Sequence, residues 1–506
     1  MTHKELTDTL SKGERILLEC KKARNEVPKS LWETYSSFAN TLGGDILLGI
    51  EEDLMATDPK LRFTILGVED SAKIQNDFWN TVNSDKVSAN ILHNEDVSVV
   101  DIDGKKVMCI HIPQADFTLR PVYINGNPLK GSFRRNHEGD YHCTEAEVKA
   151  MLRDANVNGN DSAMIEFYGM ADVDPDSLRQ YRTEFRVLND GHPWNSDDDK
   201  KFLTELGGYA MDRKTGKEGF TLAGLLMFGK GLAIRERFDN FRMDYVDMSH
   251  LVGDERYHDR LTYDGRWENN LYQFFHRVLP KITMDLPRPF RLEGARRIDD
   301  TPQHEAVREA FTNSIIHSDV LLPGGVLRVD KYDDRLCFRN PGILKLPIEQ
   351  IYEGGTSKAR NPKIQNMLRM IGYGENLGSG FPKIISAWKQ AGWKEPLLEN
   401  RIDLDEVRLT LYAPFIHSDE GGQKGGQKGG QKGGQKGSQA TSDIVLSLIS
   451  SNPIITRKQL IEQTGRASSA IQKAIKRLKE DNRIKRIGGD RGGHWEIIEE
   501  GNASTC

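Results

Sequence analysis

The chain has 506 residues, 29 % of them charged, and a formal net charge of −5; this is too long for one hydrophobic core and, by domain size, predicts roughly three or four domains. The overall charge excludes a uniformly basic nucleic-acid binder, so any basic patch must be local. The cysteines Cys20, Cys109, Cys143, Cys337 and Cys506 form no Cys-x-x-Cys pair or zinc spacing, no run approaches about 18 apolar residues and no signal-peptide core opens the chain, so a cytoplasmic protein with no structural metal and no membrane span is expected.

From residue 1 to 155 the pattern is α+β. Gly13 to Lys22 contains a short strand candidate, Leu31, Tyr35 and Phe38 have helical spacing, and Asp45 to Ile50 reads as a buried strand after the break at Gly43-Gly44. Two more strands are expected at Val97 to Ile102 and Lys106 to Ile112, turned by Asp103-Gly104. The runs Leu18-Glu-Cys-Lys21, Phe38-Ala-Asn-Thr-Leu-Gly-Gly44 and Leu47-Leu-Gly-Ile50 resemble the AlbA-like domain of Schlafen proteins and their bacterial relatives. That resemblance implies nucleic-acid binding, with RNA as one candidate. In Schlafen nucleases it implies a carboxylate trio, for which Glu14, Glu19 and Glu51 are the matching positions; such a trio could bind divalent metal and activate water. Against it, Glu14 and Glu19 are an odd number apart and would face opposite sides of one strand unless a bulge intervenes. Lys21, Arg134 and Arg135 are candidate phosphate ligands.

Residues 156–285 are expected to be a connecting helical region. Ser196-Asp-Asp-Asp199 predicts the capped, acidic start of a helix from Lys200 to Leu206, and Phe220 to Gly229 is an apolar run to which no chemistry is assigned.

Residues 286–415 carry the most chemistry. In Glu305-Ala-Val-Arg-Glu-Ala-Phe-Thr-Asn-Ser-Ile-Ile-His317, Ala306, Ala310, Ile315 and Ile316 form an apolar stripe with Val307 and Phe311, while Glu309, Asn313 and His317 fall four apart and share one side. Alone this could be an amphipathic helix with a solvated polar face. It is followed by a hairpin pattern at Val326 to Val329 and Arg335 to Phe338, the turn Asn340-Pro-Gly342, the stretch Gly354-Gly-Thr-Ser-Lys-Ala-Arg-Asn-Pro362, and Gly374-Glu-Asn-Leu-Gly-Ser-Gly380. That order resembles the GHKL ATPase fold of gyrase, histidine kinases and MutL, and more narrowly the divergent module known as the RecG-like C-terminal domain. No Walker A motif is present. The resemblance implies ATP and Mg²⁺ as cofactors, with Glu309 as general base, Asn313 as Mg²⁺ ligand, His317 nearby, and Gly378 and Gly380 admitting phosphates to backbone N–H groups. Where most GHKL proteins read adenine with the Asp of Asp-x-Gly, this chain has Asn340 before Gly342, which keeps a carbonyl acceptor but loses the charge.

Residues 416–439 are a linker in which Gly-Gly-Gln-Lys occurs four times over 421–436; a Gly-rich tether of this length spans on the order of 20 to 24 Å. Residues 440–498 follow the order helix, helix, helix, hairpin, with Thr456 and Ser468 as caps, and look like a winged helix-turn-helix. From Gly421 to Ile498 there are about 15 Lys and Arg against about 6 Asp and Glu, the local surplus that the whole-chain charge conceals. Gln472, Lys473 and Lys476 could face a major groove and Arg491 a phosphate or minor groove; DNA is the expected partner. The whole is therefore expected to be an α+β multidomain protein, homo-oligomeric, and similar to bacterial transcriptional regulators, with a role in phage defence as one possibility. The alternatives are a Schlafen-like metal-dependent ribonuclease acting on tRNA or other RNA, or a non-catalytic scaffold.

Overall fold

The computed structural model describes residues 5–6, 10, 16–53, 55, 62–157, 159–238, 241–251, 253–287, 291–293, 296–298, 300–374, 380–415, 445–446, 448–450, 455–456, 459–461, 468–480, 483–487 and 494–497. The chain divides into two compact units, residues 1–419 and 420–506. No helix among the described residues is long and apolar enough to cross a membrane.

The first unit begins with a four-stranded sheet in the order Leu18–Lys21, Gly44–Leu48, Lys105–Ile112, Val97–Ile102. Its first pair is parallel and the others antiparallel, which requires the crossover that the helix Leu31–Asn40 supplies. Nine of that helix's ten residues are buried, and its polar members are there to bond. Asn40 donates from Nδ2 to Val122 O at 2.8 Å and Phe133 O at 3.0 Å, and its Oδ1 accepts from Val122 N at 2.7 Å. Ser36 Oγ donates to Val122 O at 2.7 Å. The turn that follows needs glycine twice over: Gly43 has φ +77°, and a Cβ on Gly44 would stand 2.8 Å from the Phe38 ring. A second helix, Ser71–Val82, buries Ile74, Phe78 and Val82 at four-residue spacing and is capped by Asp70, whose Oδ1 accepts from Lys73 N at 3.0 Å.

A second and larger core runs without interruption from Ile165 to Phe415. It lies against one face of a six-stranded sheet in the order Asp259–Leu261, Arg242–Asp247, Val326–Lys331, Arg335–Pro341, Glu406–Tyr412, Leu397–Arg401. The expected hairpin is present as the antiparallel pair Val326–Lys331 and Arg335–Pro341. Two strands come from the stretch read as helical connection. Arg242–Asp247 runs parallel to Val326–Lys331 and presents Met243 and Tyr245 to the core, so the boundary expected at 286 falls inside a single core. Register places Tyr245, Val329, Phe338, Leu409 and Leu398 in one row on the core face, while Asp244, Arg328, Arg339, Arg408 and Glu399 make a charged row on the other. Around the core pack Asp199–Leu206, capped by Asp198 and closed by Gly207 at φ +86°, and Leu222–Phe228, all seven of whose residues are buried. Beside them lie Leu271–Thr283, Pro302–Ile316 and Gly380–Ala391.

In the second unit, the helix Ser468–Glu480 and the antiparallel pair Ile484–Ile487 and His494–Ile497 enclose a core of Val445, Ile449, Ile455, Leu460, Ile471, Leu478 and Ile484. Thr456 Oγ1 accepts from Gln459 N at 3.3 Å while Gln459 Oε1 accepts from Thr456 N at 2.9 Å, a reciprocal cap that starts the helical turn at 459. The Gly-Gly-Gln-Lys repeats lie outside the described residues.

Candidate functional site

The helix Pro302–Ile316 is started by Pro302 behind the cap Thr301, and it turns Val307, Ala310, Phe311 and Ile315 into the core, where Phe311 stacks on Phe275 with ring centroids 5.2 Å apart. Glu309, Asn313 and His317 all line one cavity on the helix's other side, together with Asn340 and Gly380. The cavity encloses about 920 Å³ of space when its open mouth is included. Its remaining walls are largely apolar, with Phe338, Leu344, Ile351, Phe381, Leu398, Val407 and Leu409.

The cavity has two distinguishable ends. At one, Asn313 Nδ2 donates to Glu309 Oε1 at 3.2 Å, which orients the amide and leaves its oxygen for another partner. Gly380 closes against this pair: a Cβ there would run into Glu309 Oε1 and stand 3.3 Å from Asn313 Nδ2. The eight-position separation of Glu309 and His317 amounts to about 12 Å of helix rise, which sets the second end. There Asp319 N donates to Pro341 O at 2.8 Å and brings the Asn340-Pro-Gly342 turn beside His317. Asn340 occupies a core-face position opposite Val407, is 6 % exposed, and its Nδ2 has no hydrogen-bond partner among the described residues. A buried amide donor without an acceptor is unfavourable unless a ligand supplies one. Desolvation, then the charges of Arg360 and Lys345, push the His317 pKa down to about 4, so this ring is neutral at physiological pH.

Several residues of this end carry no signal of their role in the sequence. Lys345 and Lys358 line the cavity, and burial pulls the Lys345 pKa down. Arg360, almost wholly buried, donates from Nη1 to His317 O at 3.2 Å and from Nη2 to Ile343 O at 3.0 Å, and pairs with Asp154 Oδ2 at 2.9 Å. Its neighbour Asn361 donates from Nδ2 to Ser318 O at 2.8 Å. Gly342, at φ +93°, leaves no room for a Cβ against Arg360 Nη1. The Arg-Asn-Pro run in the 354–362 stretch was the nearest thing to a signal; what it marks is a bracket holding the helix end and the Asn340 turn together.

The amino-terminal residues are placed differently from expectation. Arg135 is not available to phosphate. Its guanidinium is 1 % exposed, pairs with Glu19 Oε2 and Asp140 Oδ1 at 3.0 Å each, and donates to Ile16 O at 3.1 Å and Leu18 O at 3.3 Å. In the strand Phe133–Asn136 alternate residues face inward, and Arg135 is one of them. Lys21, 11 % exposed, pairs with Glu19 Oε1 at 2.9 Å, and Arg134 pairs with Glu147 at 2.5 Å. Both cations are therefore neutralised within the fold. Glu19 is held by two cations, Glu51 pairs with Lys22 at 2.6 Å, and Glu14 lies outside the described residues. Among the described residues no three His, Cys, Asp or Glu side chains are grouped to hold a metal ion.

In the second unit Gln472 and Lys476 are exposed on the helix Ser468–Glu480, two of the three positions proposed to read a groove. The Lys473 side chain, Arg491 and, in the first unit, Gly378 lie outside the described residues.

Comparison with protein families gives four matches. Residues 14–144 match the Schlafen AlbA_2 domain, 149–244 a domain of unknown function, 324–411 the ATP-dependent DNA helicase recG C-terminal domain, and 444–485 a winged helix-turn-helix DNA-binding domain. No curated protein matches the chain. Among solved structures, the DIP2311 protein of Corynebacterium diphtheriae is 14 % identical, with 98 % of this chain and 99 % of that one covered and a TM-score of 0.39. The N-terminal domain of a RecG-related protein from Nitrosomonas europaea is 24 % identical over 28 % of this chain and 94 % of its own, with a TM-score of 0.22. Both scores are too low to bear on the fold. The family matches establish the architecture: an AlbA-type Schlafen domain, a RecG-C-terminal-like ATPase-type domain and a DNA-binding-type winged helix in one α+β multidomain chain.

Proposed function

We propose that the protein is an ATP-binding, DNA-binding transcriptional regulator in which the state of the cavity governs use of the winged helix. The observation that supports this reading is the cavity's polarity: a carboxylate, an amide and a close-packed glycine at one end, a buried amide donor with no partner among the described residues at the other, and apolar walls between. A nucleotide has matching parts in the same order, namely a charged tail that takes Mg²⁺, and a flat base with hydrogen-bonding atoms on its edge.

The residues present fit both cofactors. Asn313, with its N–H₂ given to Glu309, would turn its oxygen to Mg²⁺, a hard cation that prefers oxygen ligands. Mg²⁺, when bound, would screen the charge of the phosphates. Glu309 would orient and deprotonate a water molecule, the bond from Asn313 keeping its carboxylate in place. Gly380 allows the backbone to lie against this pair, and Asn340 would orient the base. The Schlafen-like ribonuclease reading gains no comparable support, because the one described carboxylate of the trio that lies on the first strand, Glu19, is already bound by Arg135 and Lys21.

The test is equilibrium binding of ATP to the purified chain with and without Mg²⁺. Saturable, Mg²⁺-dependent binding is expected, and Asn313→Ala should remove the Mg²⁺ dependence, weakening binding by about tenfold, as expected when a charge-assisted bond is removed. No binding to the unaltered chain would overturn the reading.

A further inference from the structure

Two successive residues at the end of the helix Glu145–Asp154 reach across to the ATPase-type module with opposite polarities. Arg153 Nη2 bonds Asp319 Oδ2, and Asp154 Oδ2 receives Arg360 Nη2 at 2.9 Å. Asp319 and Arg360 are the two residues that assemble the base end of the cavity. Asp319 joins the end of the Pro302–Ile316 helix to Pro341 O and also accepts from Leu321 N at 3.0 Å, while Arg360 joins His317 O to Ile343 O. A further tie arrives from the AlbA-type domain itself: Arg120, 5 % exposed, donates from Nη2 to Lys345 O at 2.8 Å, and the Lys345 ammonium stands 4.6 Å over the Phe117 ring. The helix end, the Asn340-Pro-Gly342 turn and the Lys345 segment are thus three walls of one cavity, each tied to the amino-terminal part of the chain. In each pair one member is buried, Asp319 or Arg360, and breaking the pair would leave that charge without its partner. A shift of the 145–154 helix must therefore move Asp319 and Arg360 with it.

We propose that Arg153 and Asp154 are positioning residues for the nucleotide site, holding Asp319 and Arg360 so that the His317 and Asn340 walls stand at base-reading distance. Nucleotide binding and the placement of the amino-terminal domain are then linked, and by reciprocity a filled cavity stabilises the docked helix as much as the docked helix improves binding. The inference rests on the nucleotide reading above and adds the regulation of that site. Because the link acts at the base end, its loss affects adenosine and ATP alike and leaves the Mg²⁺ dependence of ATP binding in place, unlike loss of Asn313.

The experiment uses the full chain and two readouts. In the first, affinities for adenosine and for Mg²⁺-ATP are compared among the unaltered protein, Arg153→Met and the conservative Arg153→Lys. Arg153→Met is expected to weaken both by about tenfold, the scale of a hydrogen bond to a charged group, and Arg153→Lys to retain most of the affinity. In the second, which needs no variant, amide hydrogen exchange is followed in the unaltered protein on adding Mg²⁺-ATP, and slower exchange is expected in 145–154 as well as in 305–317. Slowing confined to 305–317, or unchanged affinities in a folded Arg153→Met, would overturn the proposal and leave the nucleotide reading standing. No binding to the unaltered chain would overturn both.

Discussion

Replacing Asn340 by Asp puts into this cavity the residue that the GHKL pattern would have favoured, and the structure predicts that it weakens binding. The change exchanges Nδ2, a donor with no partner among the described residues, for an oxygen, at a position 6 % exposed opposite Val407 on the core face of the sheet. If Nδ2 meets an acceptor on the base, the substitution removes that bond and sets two lone pairs against each other. An unmet buried partner costs about 1–3 kcal/mol, so affinity should fall roughly 5- to 150-fold. The new carboxyl shares the cavity with Phe338, Leu398 and Leu409, where desolvation raises its pKa, and with Lys345 and Lys358, whose charges lower it. Protonation returns a donor to the same place, so binding by Asn340→Asp should strengthen as pH falls through the pKa of that carboxyl, whereas the unaltered protein should show no such gain from this residue. The assay is a titration with a fluorescent adenine nucleotide at neutral and mildly acidic pH. Binding at neutral pH equal to or tighter than that of Asn340 would refute the donor role and indicate that the base presents a hydrogen there.

Glu309→Ala should leave Mg²⁺-ATP affinity within about threefold and abolish any steady-state phosphate release, as expected for a group that acts on water in the transition state; an equal loss of both would make Glu309 structural. Arg135→Met should lower the stability of the amino-terminal domain by about 3 kcal/mol, because half-buried Asp140 would lose its cation, Glu19 would keep only Lys21, and the Ile16 and Leu18 carbonyls would lose their donor; a urea midpoint unchanged from the unaltered protein would contradict that assignment. For the fragment 440–506, replacing Lys473 and Lys476 by Ala should flatten the salt dependence of DNA binding by a slope of roughly 1 for each phosphate no longer neutralised, and identical slopes would identify the helix Ser468–Glu480 as a protein-binding surface.

The parts of the site carried by one helix were legible in the sequence. Glu309, Asn313 and His317 line one cavity because residues four apart must share a helix side, whatever the tertiary context. The short strands and the helix Leu31–Asn40 were legible for the same local reason. What escaped were partnerships across distance. Arg153 meets Asp319 over 166 positions and Asp154 meets Arg360 over 206, and no periodicity links such residues. A basic residue such as Arg135 suggests phosphate when read alone, whereas the inward face of Phe133–Asn136 has two carboxylates and two carbonyls waiting for it. Arg242–Asp247 is hidden in the sequence because its partner Val326–Lys331 lies far downstream, beyond several helices, and parallel pairing gives no hairpin signature.

That last strand limits how the chain could be taken apart or reassembled. A polypeptide starting at 286 would keep the helix with Glu309 and Asn313, yet it would leave Val326–Lys331 with one long edge of unpaired N–H and C=O groups and strip Met243 and Tyr245 from the core. Such an edge is a template for pairing with a second chain, so the shortened piece should aggregate rather than yield a working nucleotide site. The same constraint applies to recombination between genes: an exchange at this point would transfer an incomplete sheet, and the heritable unit containing the cavity must begin upstream of Arg242.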